Sequence, residues 1–525
     1  MKPSTAEEPP ARRFGPRDVL AGLGVALVLI PQSLAYAELA GMPAHRGLFV
    51  AALAPVAAAF FASSPWLQTG PVALTSLLTL GALVPLAPAG TEEYMALAAL
   101  LALVVAATRL LVGLLKLGWT AFLLSQPVLM GFTVAAALLI IGSQFSTAVG
   151  ASPPADSVGE RVFWTLSHPG AWDPETVALS LVTLLLMVGS RKLHPAVPGV
   201  LLASLAGWGY SLATGYQGST VGQVPVGFFP LDFTLPWTRL PSLILPGVVI
   251  AMVGFAEAAS VSQTYAARER LHWNPNREFI SQGMANLAAG FAGGFPVGGS
   301  FSRTSLAYLA GARTRWAGLV AGVSVLLFLP FAGILAPLPR AVLSAVVISA
   351  VAKLVRFGPL VRLWRLSRPQ AAVGWTAFFL TLALAPHVEE AVLLAVVLSL
   401  GLHIWREMTP GFVARLEGDD LHLELKGVLW FGSAPLLERA LLTHLEGSSQ
   451  VKKVVLDLGG LGRIDLTGAM ILRQLREDVE RGGTEFYLRE VPGHATRILR
   501  QVLDWTPEEE QRARGHAPMV GPPGD

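Results

Sequence analysis

Between residues 279 and 310 the chain carries one charge, Arg303, directly after the run Val297-Gly298-Gly299-Ser300-Phe301-Ser302. A guanidinium among apolar residues is a fixed positive charge with forked donors, suited to an anion and costly to bury without one. Earlier in the chain, Thr69-Gly70-Pro71-Val72 also interrupts an apolar stretch. Glycines followed by a short apolar segment read as a helix that begins at mid-membrane. Its first N–H groups are unpaired and their dipoles favour negative charge. Two such beginnings facing each other make an anion site. Pro71 suits a first helical position, and Gly298 with Gly299 lets backbone approach a ligand closely. Gln32 and Tyr36 stand one turn apart on a helix face, with Glu38 nearby, and Glu257 lies in the stretch Val253-Gly254-Phe255-Ala256-Glu257. Blander roles stay open: Arg303 as a partner of Glu257 or a snorkelling side chain, Gln32 and Tyr36 as hydrogen bonds to neighbouring helices, Glu38 as a solvated acid.

The elements that must hold these residues belong to a bilayer. Of 525 residues, 53% are hydrophobic and 14% charged, and mean hydropathy is +0.56, far above what a soluble core requires. About fourteen apolar segments are expected, from 19–40 to 388–405. The third, 72–86, and the tenth, 301–310, are too short to cross about 30 Å of hydrocarbon as ordinary helices. Split into seven and seven, the chain places both short segments third in their halves. Seven being odd, the halves have opposite orientations, the arrangement of inverted-repeat secondary transporters.

Charge orients the segments. With the N-terminus inside, the inner loops hold Arg12, Arg13 and Arg17, Arg109 and Lys116, Arg191 and Lys192, Arg268, Arg270 and Arg277, Arg313 and Arg315, and the series Lys353 to Arg368. The outer loops hold Glu92, Glu93, Asp156, Glu160, Asp173, Glu389 and Glu390, with Arg161, Arg239 and Arg340 as basic exceptions. Both termini are therefore expected in the cytoplasm. No short apolar stretch with a small-residue cleavage site precedes the first segment, which is expected to stay as a helix. The absence of cysteine excludes disulfides and thiolate metal sites, and a net charge of +3 gives no case for nucleic acid. No Gly-x-x-x-x-Gly-Lys-Ser/Thr loop is present, so no ATP-driven chemistry is expected.

After about Phe412 the pattern changes. Leu421 to Leu425 alternates as a half-buried strand, Val454 to Leu458 reads as a buried one, and 434–445 and 466–480 have helical spacing. An α/β sandwich is expected.

At these residues the chain resembles the sulfate permease family, the bacterial relatives of solute carrier family twenty-six. The resemblance runs through LIPQSLAYAELAGMP, GPVALTSLLTL, VGFAEAAS and NREFISQGMANLAAGFAGGFPVGGSFSRTSL, and continues into a tail similar to the sulfate-transporter and anti-sigma-factor-antagonist (STAS) type. It implies fourteen transmembrane segments in two inverted seven-helix repeats, forming a core domain that moves against a gate domain. The anion then lies between the first, third, eighth and tenth helices. Substrate-binding positions fall on Gln32, Tyr36, Val72, Phe301, Ser302 and Arg303. Glu257 stands where sodium-coupled relatives place a cation-binding carboxylate; being Glu rather than Asp, it, or Glu38, is instead expected to take up a proton, because hydrocarbon opposes a carboxylate's charge. In the tail, Thr467 occupies the place of a phosphorylatable residue before a helix, although Asp465 and Thr467 also read as plain helix caps.

The expectation is a cytoplasmic segment 1–17, a transmembrane transport domain 18–408, a cytoplasmic STAS domain 412–508 and a flexible tail 509–525. The activity expected is proton-coupled symport of a small anion such as a dicarboxylate, sulfate or bicarbonate, without catalysis, cofactor or metal. Sodium coupling, anion exchange, an uncharged nucleobase substrate, a passive channel, and a receptor signalling through the tail are the alternatives. Arginine outnumbers lysine and alanine is abundant, which suits a bacterial cytoplasmic membrane. Homodimerisation and cytoplasmic protein partners of the tail are expected from the resemblance.

Overall fold

The computed structural model describes residues 13–122, 124–155, 157–193, 198–224, 235–408, 411–446 and 451–505. Residues 1–12, the acidic residue Asp156 and the expected tail 509–525 lie outside the described residues. Two compact units meet in sequence between Val397 and Leu398.

Each of the fourteen expected segments coincides with a helix, the last of them running from the first unit into the second. The first half runs α1 (Pro16–Leu39), α2 (Ala44–Phe61), β1 (Gln68–Gly70), α3 (Ala73–Leu83), α4 (Glu92–Leu114), α5 (Gln126–Ala148), α6 (Val158–Ser167), α7 (Pro174–Leu193) and α8 (Gly199–Thr214). The second runs α9 (Leu240–Arg268), α10 (Pro275–Phe291), β2 (Gly298–Ser300), α11 (Phe301–Leu309), α12 (Trp316–Phe328), α13 (Arg340–Val351), α14 (Phe357–Leu366), α15 (Arg368–Ala383) and α16 (Val388–Met408). Helices α6 and α14 were not expected. Both are 10 residues long and charged, so hydropathy alone merges them with loops. Eight described helical stretches are long and apolar enough to cross a membrane. By contrast α3 has 11 residues and α11 has 9, so at about 1.5 Å per residue each reaches only halfway across the hydrocarbon.

The helices sort into two packed groups. Helix α10 packs on α4 and α2, α12 on α2 and α1, and α9 on α4. In the other group α15 and α13 pack on α5, and α7 on α13 and α8. Contacts between the groups run mainly through α1, which touches α13 and α8. Small residues permit the close approaches: a Cβ added at Gly47 would lie 1.9 Å from the Ser33 carbonyl oxygen, and one at Gly131 would lie 1.9 Å from that of Gly374. Without a hydrophobic force between helices in lipid, such backbone contact is what holds them.

The second unit is an α/β sandwich. Strands β3 (Gly411–Glu417), β4 (Asp420–Leu429), β5 (Lys453–Ile464) and β6 (Glu485–Arg489) lie in that order, antiparallel for the first pair and parallel for the other two. Helices α17 (Ala434–Glu446), α18 (Leu466–Arg481) and α19 (Gly493–Leu503) complete it. Leu423, Leu425, Leu456 and Leu458 from the sheet pack with Leu441, Leu472 and Leu499 from the helices. The alternation of β4 buries Leu421, Leu423 and Leu425 and leaves His422 and Glu424 half-buried, as period-two patterning requires.

Candidate functional site

The two interruptions meet. Strand β1 pairs antiparallel with β2, Gln68 opposite Ser300, Thr69 opposite Gly299 and Gly70 opposite Gly298. Each strand feeds a short helix: α3 has Val72 as its N-cap, and α11 has Ser300, whose hydroxyl accepts from the Arg303 amide at 3.4 Å. The pairing satisfies backbone groups that no water would reach. Glycine is needed here for two reasons. Gly70 has φ +152°, and a Cβ at Gly299 would meet Leu67 at 2.8 Å and Ala258 at 2.9 Å.

Two details differ from the sequence expectation. Pro71 is not the first helical residue of α3 but lies one residue before the N-cap, so it ends the extended segment rather than opening the helix. Arg109, counted as an inner-loop charge, lies inside α4 and is fully buried.

Around the crossing stands polar scaffolding that the sequence reading missed. The Thr304 hydroxyl donates to the Ser300 carbonyl at 2.6 Å and accepts from the Gln68 amide at 3.0 Å, tying the two breaks together. From α10, Gln282 donates to the Thr69 hydroxyl at 2.7 Å, and Asn286 both accepts from the Val297 amide at 2.9 Å and donates to its carbonyl at 3.2 Å. Glu278, one turn earlier, accepts from the amides of Ser63 and Ser64 at 3.1 and 2.8 Å, fixing the loop that leads into β1. Glu278, Gln282 and Asn286 recur every four residues, so one polar face of α10 was there to be found.

Most of the expected site residues gather here. Gln32, Tyr36, Val72, Glu257, Phe301 and Ser302 line one cavity of about 1090 Å³. Its lining comes from α1, α3, α9 and α11 and, from the other helix group, from Phe132, Thr133 and Ala136 of α5, Val200 of α8 and Val351 of α13. Arg303 is not itself on the lining; it is 1% exposed and donates through Nη1 to Oε1 of the lining residue Gln32 at 3.2 Å. Its Nε and Nη2 have no hydrogen-bond partner; Nη2 lies 3.4 Å from where a Cβ on Gly70 would stand. Glu257 and Tyr36 are near enough to act on Arg303 electrostatically. Glu38 is not on the cavity wall: it is paired with Arg340 at 3.0 Å. Thr467 is exposed at the second residue of α18, whose N-cap is Asp465, accepting from the Gly468 amide at 2.7 Å.

Two half-length helices from two halves of a multi-pass bundle, meeting over a buried cation, are the arrangement of a membrane transporter with inverted repeats. The chain belongs to the sulfate permease family, whose family model matches residues 16–377, and carries a STAS domain at residues 412–502. It is 34% identical over 519 residues to a "probable sulfate transporter" of Mycobacterium tuberculosis, covering 93% of this chain and 91% of that one. It is 28% identical to the sodium-independent sulfate anion transporter of Bos taurus, covering 92% and 85%. Among solved structures, the murine solute carrier 26 family member A9 anion transporter in the inward-facing state shares the fold with a TM-score of 0.86 at 20% identity, covering 94% of this chain and 89% of that one. The transmembrane domain of a cyanobacterial bicarbonate transporter has a TM-score of 0.62 at 22% identity, covering 73% and 97%.

Proposed function

We propose that the protein is a secondary active carrier that moves a small anion across a bacterial cytoplasmic membrane together with protons, by alternating access. Sulfate is the first substrate to test, with bicarbonate and dicarboxylates next. The observation that carries this reading is Arg303. It is fully buried between two facing helix beginnings, and two of its three nitrogens lack an acceptor. A guanidinium in that position requires a negatively charged or strongly accepting ligand, which disfavours an uncharged nucleobase. Sulfate is favoured by the names of the Mycobacterium and Bos relatives, and the "sodium-independent" in the latter's name favours protons over sodium.

The cavity also reaches Lys353, Leu354 and Arg356, part of the basic series that the charge distribution places inside. With both termini cytoplasmic, the conformation is inward-facing, and the α5, α7, α8, α13 and α15 group is the gate against which the site-bearing group moves. The STAS domain, through Thr467 or protein partners, and a homodimeric assembly belong to the same proposal.

Uptake of labelled anions by the purified protein in liposomes, with proton and sodium gradients imposed in turn, tests it. Proton-driven uptake of at least one anion is expected. Equal uptake by an Arg303→Ala protein would overturn the site, and ligand binding without flux would favour the receptor reading.

A further inference from the structure

Arg109 has a place in the site that its position in the sequence does not suggest. It is 0% exposed, in the middle of packed helices. Its Nε donates to the Ala251 carbonyl at 3.1 Å, its Nη1 to the Val297 carbonyl at 2.8 Å and its Nη2 to the Ile250 carbonyl at 3.4 Å. Among the described residues, no carboxylate forms an ion pair with it.

The three carbonyls do not require this cation. Ile250 and Ala251 lie within α9, where the helix supplies its own donors, and the Val297 carbonyl already accepts from Asn286. The hydrogen bonds therefore serve the guanidinium rather than the backbone. Burying a cation here has a cost that the three carbonyls, which have other donors, give no reason for.

The charge also lies against the anion site. A Cβ at Gly254 would stand 2.8 Å from Arg109 Nη2 and 2.9 Å from Thr75 Cγ2, in the first turn of α3. A Cβ at Gly298, in β2, would meet the same Thr75 methyl at 3.5 Å and Val72 at 3.2 Å. One missing methyl group thus separates the guanidinium from the start of α3, and the residue it grips, Val297, immediately precedes β2. Arg109 does not line the cavity.

We propose that Arg109 is a second cation of the anion site, acting through space rather than by contact, and that it sets the preference for substrates of higher negative charge. The inference rests on the anion reading above and adds a residue to it. Arg303 and the helix beginnings hold the anion; Arg109, held by carbonyls and by no carboxylate, leaves its charge free to act on whatever occupies the crossing.

A field effect scales with the charge of the ligand. Across roughly 10 Å at an effective dielectric constant of about 20, one unit charge changes the binding of a monoanion about tenfold and of a dianion about a hundredfold. A structural effect weakens both alike.

The test is competition by monovalent anions (chloride, nitrate, bicarbonate) and divalent anions (sulfate, oxalate) against labelled-anion uptake in liposomes, for wild type, Arg109→Lys and Arg109→Gln. Arg109→Gln is expected to lose about ten times more affinity for the divalent than for the monovalent set, whereas Arg109→Lys keeps the wild-type ratio. Should Arg109→Gln not fold, Arg109→Met keeps an unbranched stem, leaves the Val297 carbonyl its donor from Asn286, removes the same charge and is expected to shift the ratio the same way. An equal loss for both sets, or a Lys variant that behaves as Gln does, overturns the proposal. A wild-type protein that takes up no anion overturns the anion reading instead.

Discussion

Glu38, in the last turn of α1, and Arg340, the first residue of α13, form an ion pair at 3.0 Å. It joins the two helix groups at the opposite end of α13 from Lys353 and Arg356, which line the cavity. Two basic exceptions to the outer-loop count find partners this way, since Arg239 also pairs with Glu93 at 3.6 Å. In the alternating-access cycle proposed above, the Glu38–Arg340 pair breaks when the cavity opens on that side. Glu38 is 18% exposed and Arg340 45%, so the pair contributes about 1 kcal/mol, roughly a fivefold change in the population of the outward-open form. Because the chain has no cysteine, a single cysteine at Val346, buried beside Val28 in the seam, reports that opening cleanly. Arg340→Gln is expected to speed its modification by an external thiol reagent about fivefold; an unchanged rate would remove the latch.

Arg303 should not tolerate lysine. It reaches Gln32 with one nitrogen and leaves two others for a ligand, a forked geometry that an ammonium cannot reproduce. Arg303→Lys is expected to raise the KM for anion uptake about thirtyfold, equivalent to about 2 kcal/mol, with protein yield and thermal stability near wild type. Gln32→Ala, which frees Arg303 Nη1 and removes a lining amide, should raise KM less. The ratio of the two, from initial rates in liposomes, separates the principal anion contact from its support.

The crossing of β1 and β2 makes different demands on neighbouring glycines. At Gly299 a Cβ would lie 2.8 Å from Leu67 and 3.1 Å from the Ala258 Cα, which is backbone and cannot rotate away; at Gly298 the nearest atom is the Val72 Cγ2 at 3.2 Å. Gly299→Ala is therefore expected to cost about 1–3 kcal/mol in stability and most of the uptake, and Gly298→Ala considerably less. Detergent-solution melting and uptake assays on the two variants check the order.

Much of this was legible from the sequence because a bilayer imposes strong rules. Uninterrupted apolar runs located the helices, and the glycine breaks before Val72 and Phe301 stood out within them. What was not legible has physical reasons. Arg109 reads as a loop charge, since hydropathy does not distinguish an arginine at a helix end from one buried within the last turns of α4; its partners are carbonyls distant in sequence, which carry no signature. Gln282 and Asn286 had a four-residue spacing but no visible task until Thr69 and Val297 were beside them. Helix α14 hid because Phe357, Val361 and Trp364 are exposed between arginines, a pattern of the membrane surface rather than of a span.

In the STAS domain, Asp465 holds the start of α18 by accepting from the Gly468 amide at 2.7 Å, while Thr467 is exposed beside it. Asp465→Ala is expected to destabilise that helix by about 1 kcal/mol, seen as faster hydrogen exchange in α18 with uptake retained. Thr467→Ala should leave exchange unaltered, because Thr467 makes no cap bond. If Thr467→Ala loosened α18 as Asp465→Ala does, its role would be structural rather than a site for modification.

Glu257 and Glu38 are the two carboxyls proposed to carry the coupling proton, and their surroundings differ. Glu257 lines the cavity close to Arg303, so its charge and that of the anion share one positive partner. Glu38 is occupied by Arg340, an ion pair whose proton uptake requires the latch to part first. Glu257→Gln, permanently neutral, mimics the protonated form and removes the proton that would otherwise travel with substrate. The expected result is that proton-driven accumulation falls at least tenfold while exchange of labelled for unlabelled anion at equal pH persists, since exchange needs no net proton movement. Glu38→Gln should instead alter the rate of outward opening, in the manner of Arg340→Gln, and leave the dependence on the proton gradient in place. If Glu257→Gln accumulated anion with undiminished response to the gradient while Glu38→Gln did not, the coupling site would move to α1.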